Sequence, residues 1–285
     1  MTERTITVAG TAVFVRESGG AGGGAATPGG TARRGGVTTP GETARRGATT
    51  LPTLLCIHGN LGSGRWFEPL LERYPGRAIA PDMPNFGQSE HIDECSMAAY
   101  ARSITAICDE LGVERAAVLG HSLGGAVAME LLATYPALVE RLILVDSSPI
   151  DGLVTPKEHY PAIEAYKADK AVLAAALKTV VPMAKDEAFF IKLVEDGWKM
   201  NRECFIGHAE ELGKADYRKR LEGATTPVNV MRGAHDILIT EERAQTLATF
   251  FGATLDTFEA SGHSPMVEVP DEFAATLASR LRETA

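Results

Sequence analysis

Short apolar runs that stop abruptly at turn residues, with helically spaced stretches between them, constrain this chain more than any other feature. Leu54–Ile57 ends at His58-Gly59, Ala78–Ala80 at Pro81-Asp82, Ala116–Leu119 at Gly120, Leu142–Val145 at Asp146, and Val228–Met231 at Arg232-Gly233. These runs lack polar alternation, which suits strands covered on both faces. Between and after them, residues 66–74, 98–111, 123–135, 241–251 and 271–282 carry apolar side chains three and four apart, the spacing of one helix face. Strand and helix in alternation predict an α/β fold, with a doubly wound, mostly parallel sheet of about eight strands and helices on both faces. In such sheets crossovers are right-handed and ligands bind beyond the carboxyl ends of the strands.

Three segments depart from the alternation. Thr5–Val8 and Thr11–Arg16 each alternate with period two around Gly10, which predicts an antiparallel hairpin within 1–18. Residues 19–50 contain Gly, Ala, Thr, Pro, Arg and one Glu, with Val37 the only large apolar side chain. Within them Thr27–Gly35 recurs as Thr39–Gly47 with one substitution. Neither copy has an apolar face to stack, so the segment is expected to be a disordered insertion. From 149 to 223 the helical patterns 157–167, 171–181, 187–200 and 203–221 follow one another without a strand. They predict a helical lid inserted after the sixth strand, dividing the core into 51–148 and 224–285.

Composition narrows the partners. The chain has 28 Lys plus Arg against 37 Asp plus Glu, a net charge of −9. That balance argues against nucleic acid, whose phosphates need clustered cations. The N-terminal residues are charged and lack an apolar core, unlike a secretory signal. The longest apolar stretch, 171–184, is interrupted by Lys178 and Pro182 and is too short for a bilayer. Four cysteines at 56, 95, 108 and 204 form no CxxC pair, which argues against zinc. No disulfide framework is suggested, so the expectation is a cytoplasmic protein with reduced thiols and no membrane association.

The chemistry centres on Gly120-His-Ser-Leu-Gly124, a G-x-S-x-G pattern that follows an apolar strand and opens a helix. That setting presents Ser122 alone above a sheet edge as a nucleophile. A serine hydroxyl needs a base within reach and an acid behind the base. Of seven histidines, His263 stands in a loop between the last strand-like run, 253–258, and the last helix, at the edge where Ser122 lies. His58 is expected to pack at its strand end, and the turn is expected to aim His121 elsewhere. Histidines 91, 159 and 208 fall in polar loop or lid contexts. Asp236 and Asp146 both end strands at that edge. Both precede His263, so chain order does not choose between them, and Asp236 is preferred. The backbone N–H groups of Leu123 and Asn60 are the expected oxyanion donors.

His58-Gly-Asn60, Asp82–Ser89, Gly120–Gly125, Gly233–Asp236 and Ser261–His263 together resemble an α/β-hydrolase-fold enzyme of the lid-bearing, serine esterase-like branch. Asn85 replaces the usual glycine in the second motif, and 19–50 is not a family feature. The resemblance implies a serine hydrolase that cleaves a carboxylic ester or lactone, a small molecule, through an acyl-enzyme on Ser122, His263 and Asp236. No metal or organic cofactor is implied. Carbon–carbon bond hydrolysis of a diketone, and perhydrolase or haloperoxidase-like chemistry, use the same triad. A ligand receptor on the same scaffold is the non-enzyme alternative.

Overall fold

The computed structural model describes residues 1–19 and 51–283. Apart from Gly19, the expected insertion lies outside the described residues. One sheet of eight strands organises the rest: β1 (Thr2–Val8), β2 (Thr11–Ser18), β3 (Leu54–Ile57), β4 (Ala78–Pro81), β5 (Ala116–His121), β6 (Val139–Val145), β7 (Val228–Gly233) and β8 (Thr254–Phe258), in the order β1-β2-β4-β3-β5-β6-β7-β8. The hairpin turns at Ala9 and Gly10, both at positive φ, the backbone that matches the twist of its strands. β2 runs antiparallel to β4, and β3 to β8 are all parallel. β3, β4 and β5 are buried along their whole length, as unbroken apolar runs require. The helices packed on this sheet are α1 (Glu68–Leu71), α2 (Met97–Glu110) and α3 (Leu123–Thr134), and, after β7, α8 (Glu241–Phe251), α9 (Pro265–Glu268) and α10 (Pro270–Arg282).

Four helices fill the interval between β6 and β7: α4 (Tyr160–Ala168), α5 (Lys170–Val180), α6 (Glu187–Trp198) and α7 (Cys204–Lys214). The last is shorter than its apolar pattern, because Ala215 turns extended and Tyr217 N–H bonds to the Ile150 carbonyl at 2.8 Å. The pattern over 66–74 likewise yields only a 3₁₀ turn, Gly64–Phe67, and the one turn of α1. Among the described residues no helix is long and apolar enough to cross a membrane.

The expectation of reduced thiols fails at one pair. Cys95, before α2, is disulfide-bonded to Cys204 at the start of α7. The two lie 109 residues apart in sequence, a pairing that only the packing of α7 against the core reveals. Cys56 and Cys108 are buried and free.

The register also fixes where the ends of the 19–50 connection lie. β2 and β3 are not neighbours; Ser18 and Leu54 both pair with Ala78, on opposite sides of β4. Two strand spacings, about 10 Å, separate them. Deleting 20–48 would leave Gly19 and residues 49–53, which reach about 20 Å when extended. Both anchor points lie at the start of β4, the sheet edge opposite Ser122. The deletion is therefore expected to leave kcat/KM for small esters within about threefold and thermal stability nearly unchanged, because loop length enters closure entropy only logarithmically. Steady-state kinetics and a melting curve check this, and a collapse of either would show that the segment docks on the domain.

Candidate active site

Ser122 joins β5 to α3 with φ 53° and ψ −120°, a backbone that a non-glycine residue keeps only when its surroundings impose it. Packing imposes it here. A Cβ on Gly120 would sit 2.4 Å from the Gly124 carbonyl oxygen, and one on Gly124 would sit 2.2 Å from that of Ile57. Strand and helix thus approach too closely for any side chain at either position. Backbone hydrogen bonds finish the turn: Ser122 N–H donates to Val145 at 3.1 Å, and its carbonyl accepts from Gly125 at 2.9 Å. The half-buried side chain lines a cavity of ≈ 260 Å³ at the carboxyl ends of the strands, and His263 lines the same cavity.

His263 reaches that cavity from the loop between β8 and α9. Glu268 of α9 holds the loop by accepting from Gly262 N–H at 2.7 Å and from Ser261 Oγ at 2.9 Å. His263 N–H donates to the Val180 carbonyl of α5 at 3.2 Å. Its ring Nδ1–H donates to Asp236 Oδ2 at 2.7 Å. The other Asp236 oxygen accepts from Leu238 N–H at 2.7 Å and Ile239 N–H at 3.2 Å. Burial alone would raise the Asp236 pKa, but the hydrogen bond and charge of His263 outweigh it and hold the carboxyl at about 2. Of the two carboxyls that chain order left in competition, Asp236 is the one His263 hydrogen-bonds. Asp146 stands beside it at φ 41° and bonds instead to Gly233 N–H at 3.0 Å.

The loop after β3 supplies another wall. Gly62 N–H closes a turn on the Gly59 carbonyl at 3.2 Å, with Leu61 at φ 57°. This turn places Asn60 on the cavity, beside Ser122. Leu123 opens α3 directly after Ser122, where the helix dipole favours negative charge. Trp66, Tyr166, Leu177, Val180 and Leu238 make the remaining lining mostly apolar.

Two histidines behave differently from their sequence reading. His121 is not aimed away: it lines the cavity, and its Nε2–H donates to the His263 carbonyl at 2.8 Å. His208 is fully buried on α7, not in a polar setting. Its Nδ1–H donates to Asn60 Oδ1 at 2.8 Å, while Nε2 accepts from the Tyr100 hydroxyl at 2.7 Å. An insert helix therefore orients the loop that carries Asn60. The apolar spacing around His208 could have signalled an inward face. His58 does pack at its strand end, where Nδ1–H donates to Gly59 O at 2.8 Å and Nε2 accepts from Met83 N–H at 3.0 Å. Burial holds all three rings neutral, with pKa values pushed down to about 3, 3 and 4 for His121, His208 and His58. Asn85 adopts φ 76° and closes its turn by bonding to Ile92 N–H and the Glu94 carbonyl at 2.9 Å each. It does there what glycine would do by conformational freedom.

Two clusters among the described residues have ligand-type atoms within 4.8 Å of one another: Cys95, Cys204 and His208, and Asp146, Asp236 and His263. In the first, the two sulfurs are bonded to each other. In the second, the close His263–Asp236 hydrogen bond uses the donor pair a cation would need.

A family model for the alpha/beta hydrolase fold matches residues 52–270. The chain belongs to the alpha/beta hydrolase fold family. Among relatives of this alpha/beta hydrolase, the sn-1-specific diacylglycerol lipase of Mus musculus is 28% identical over 252 residues, covering 81% of each chain. Lipase LipV of Mycobacterium tuberculosis is 28% identical over 245 residues, covering 80% of this chain and 92% of its own. The crystal structure of the enol-lactonase from Burkholderia xenovorans LB400 superposes with a TM-score of 0.79 at 20% identity, covering 98% of this chain and all of the other.

Proposed function

We propose that this alpha/beta hydrolase cleaves small carboxylic esters or lactones through a covalent acyl-enzyme on Ser122. The observation that carries the reading is the line Asp236–His263–cavity–Ser122: a charged, buried carboxylate holds one face of an imidazole whose other face borders the cavity of a strained serine. His263 Nε2 removes the Ser122 proton as Oγ attacks the carbonyl carbon. The imidazolium is stabilised by Asp236 and returns the proton to the leaving alkoxide. A water then gives its proton to His263 and attacks the acyl carbon, which releases the acid and restores Ser122. The backbone N–H groups of Asn60 and Leu123 receive the developing oxyanion. The names of the relatives, two lipases and a lactonase, agree on ester-bond chemistry. The helices between β6 and β7 act as a lid, since Tyr166, Ala176, Leu177, Thr179 and Val180 form part of the cavity wall.

Cavity size supports a small substrate. A volume of ≈ 260 Å³ falls below the range of about 300–1,000 Å³ typical of drug-sized ligands, and the lining is mostly apolar. A panel of nitrophenyl esters and simple lactones tests this. Butanoate is expected to exceed dodecanoate in kcat/KM by about tenfold or more, because added methylenes that do not fit lose transition-state binding. A rate that climbs with chain length would replace the small-ester reading with a long-chain lipase.

A further inference from the structure

Asp146 sits at the end of β6 and is essentially inaccessible. Its N–H donates to the Met231 carbonyl at 2.9 Å, and its Oδ1 accepts from Gly233 N–H at 3.0 Å. Both bonds tie it to β7, the strand that delivers Asp236. Its second oxygen, Oδ2, is buried with no conventional donor partner. Ligand-type atoms of Asp146, Asp236 and His263 all lie within 4.8 Å of one another. The titratable and charged groups facing Asp146 are Asp236, His263 behind it, and Arg232 of β7, while neutral His121 stands beyond His263. Arg232 aims its guanidinium at the Ala234 carbonyl, at 3.5 Å. Two carboxylates within 4.8 Å of each other in a buried site oppose each other's ionisation. His263 fixes the charge on Asp236, so the proton falls to the other.

We propose that Asp146 is protonated and donates its Oδ2–H to Asp236, making it a positioning residue that fixes the orientation of the carboxylate behind His263. Both Asp146 oxygens are then satisfied. Oδ1 takes the Gly233 N–H, Oδ2–H supplies the missing donor, and Asp236 is held by the Leu238 and Ile239 N–H groups, by Asp146 and by His263. The direction of titration agrees. Burial, then the charge of Asp236 and the hydrogen bond to it, raise the Asp146 pKa well above the usual carboxylate range.

This inference rests on the triad reading, and the pH profile of kcat/KM for a small nitrophenyl ester tests it. In Asp146→Asn the amide N–H₂ replaces the O–H and the amide oxygen still accepts from Gly233. The acidic limb, which reports protonation of the base, is expected to stay in place, with kcat within about threefold of wild type. If Asp146 is instead ionised, the same variant removes a negative charge beside His263, and the limb moves to lower pH by about 1–3 pH units. That movement overturns the proposal. Asp146→Ala removes the donor altogether. It is expected to lower kcat by about tenfold with KM little changed and to move the limb to higher pH, because Asp236 loses a partner that withdraws its charge. An alanine variant matching the asparagine one in rate and limb would show that no hydrogen bond is donated. Should the alanine variant not fold, the limb of the asparagine variant still decides. Ser122→Ala run in parallel separates the two claims: activity surviving there removes the triad reading, whereas a displaced limb in Asp146→Asn removes only the proton.

Discussion

Ser122→Ala is expected to lower kcat by about four powers of ten or more while the melting temperature stays within a few degrees of wild type. The hydroxyl lines the cavity from a strained turn above the sheet edge, and in the proposed mechanism no acyl-enzyme forms without it. Members of such a constellation act as a unit, so His263→Ala should cost a similar factor and the double variant little more. Stability should respond weakly. The strain at φ 53° is imposed by the Gly120 and Gly124 contacts, not by the side chain, and alanine fits the same space. Burst kinetics with a nitrophenyl ester and mass spectrometry of the quenched enzyme read the acyl adduct directly. A variant free of contaminating esterase that kept a tenth of the wild-type rate would remove Ser122 as nucleophile.

The second large effect separates the two carboxyls. Asp236→Asn is expected to reduce kcat by about four powers of ten, because an amide there can present its N–H₂ to Nδ1 and stabilise the wrong imidazole tautomer. The Leu238 and Ile239 N–H groups that now meet Asp236 Oδ1 would favour that orientation, since they keep the amide oxygen for themselves. Asp146→Asn is expected to remain within about threefold, because no hydrogen bond joins Asp146 to His263. Measuring both under single-turnover conditions isolates the chemical step. The reverse ranking would move the orienting acid to Asp146 and leave Ser122 and His263 in their roles.

The sequence by itself determined the sheet and its chemistry-bearing turns. Leu54–Ile57 and Glu241–Phe251 have the predicted boundaries, and the other strands and most helices differ by a few residues at their ends. The reason is local. Apolar runs covered on both faces, and helical stripes packed on them, write their burial into the residue pattern, and glycines at 120 and 124 record a backbone approach that no side chain permits. The tertiary structure decided what depends on residues distant in the chain. Nothing in the pattern shows that β2 pairs with β4 and not with β3, because strand order comes from packing. Nor does it show that Cys95 meets Cys204, since the two approach only once α7 docks. Chain order does not separate Asp236 from Asp146, each following a strand at the same edge, although the motif that ends in Asp236 favoured it. They become different when the His263 loop, pinned by Glu268, brings its Nδ1–H to one carboxyl and leaves the other buried beside it. His121 and His208 show the same limit. A histidine's role follows from which carbonyl, amide or hydroxyl the fold brings within 3 Å or so of its ring, and those partners stand 142 and 148 residues away in the chain.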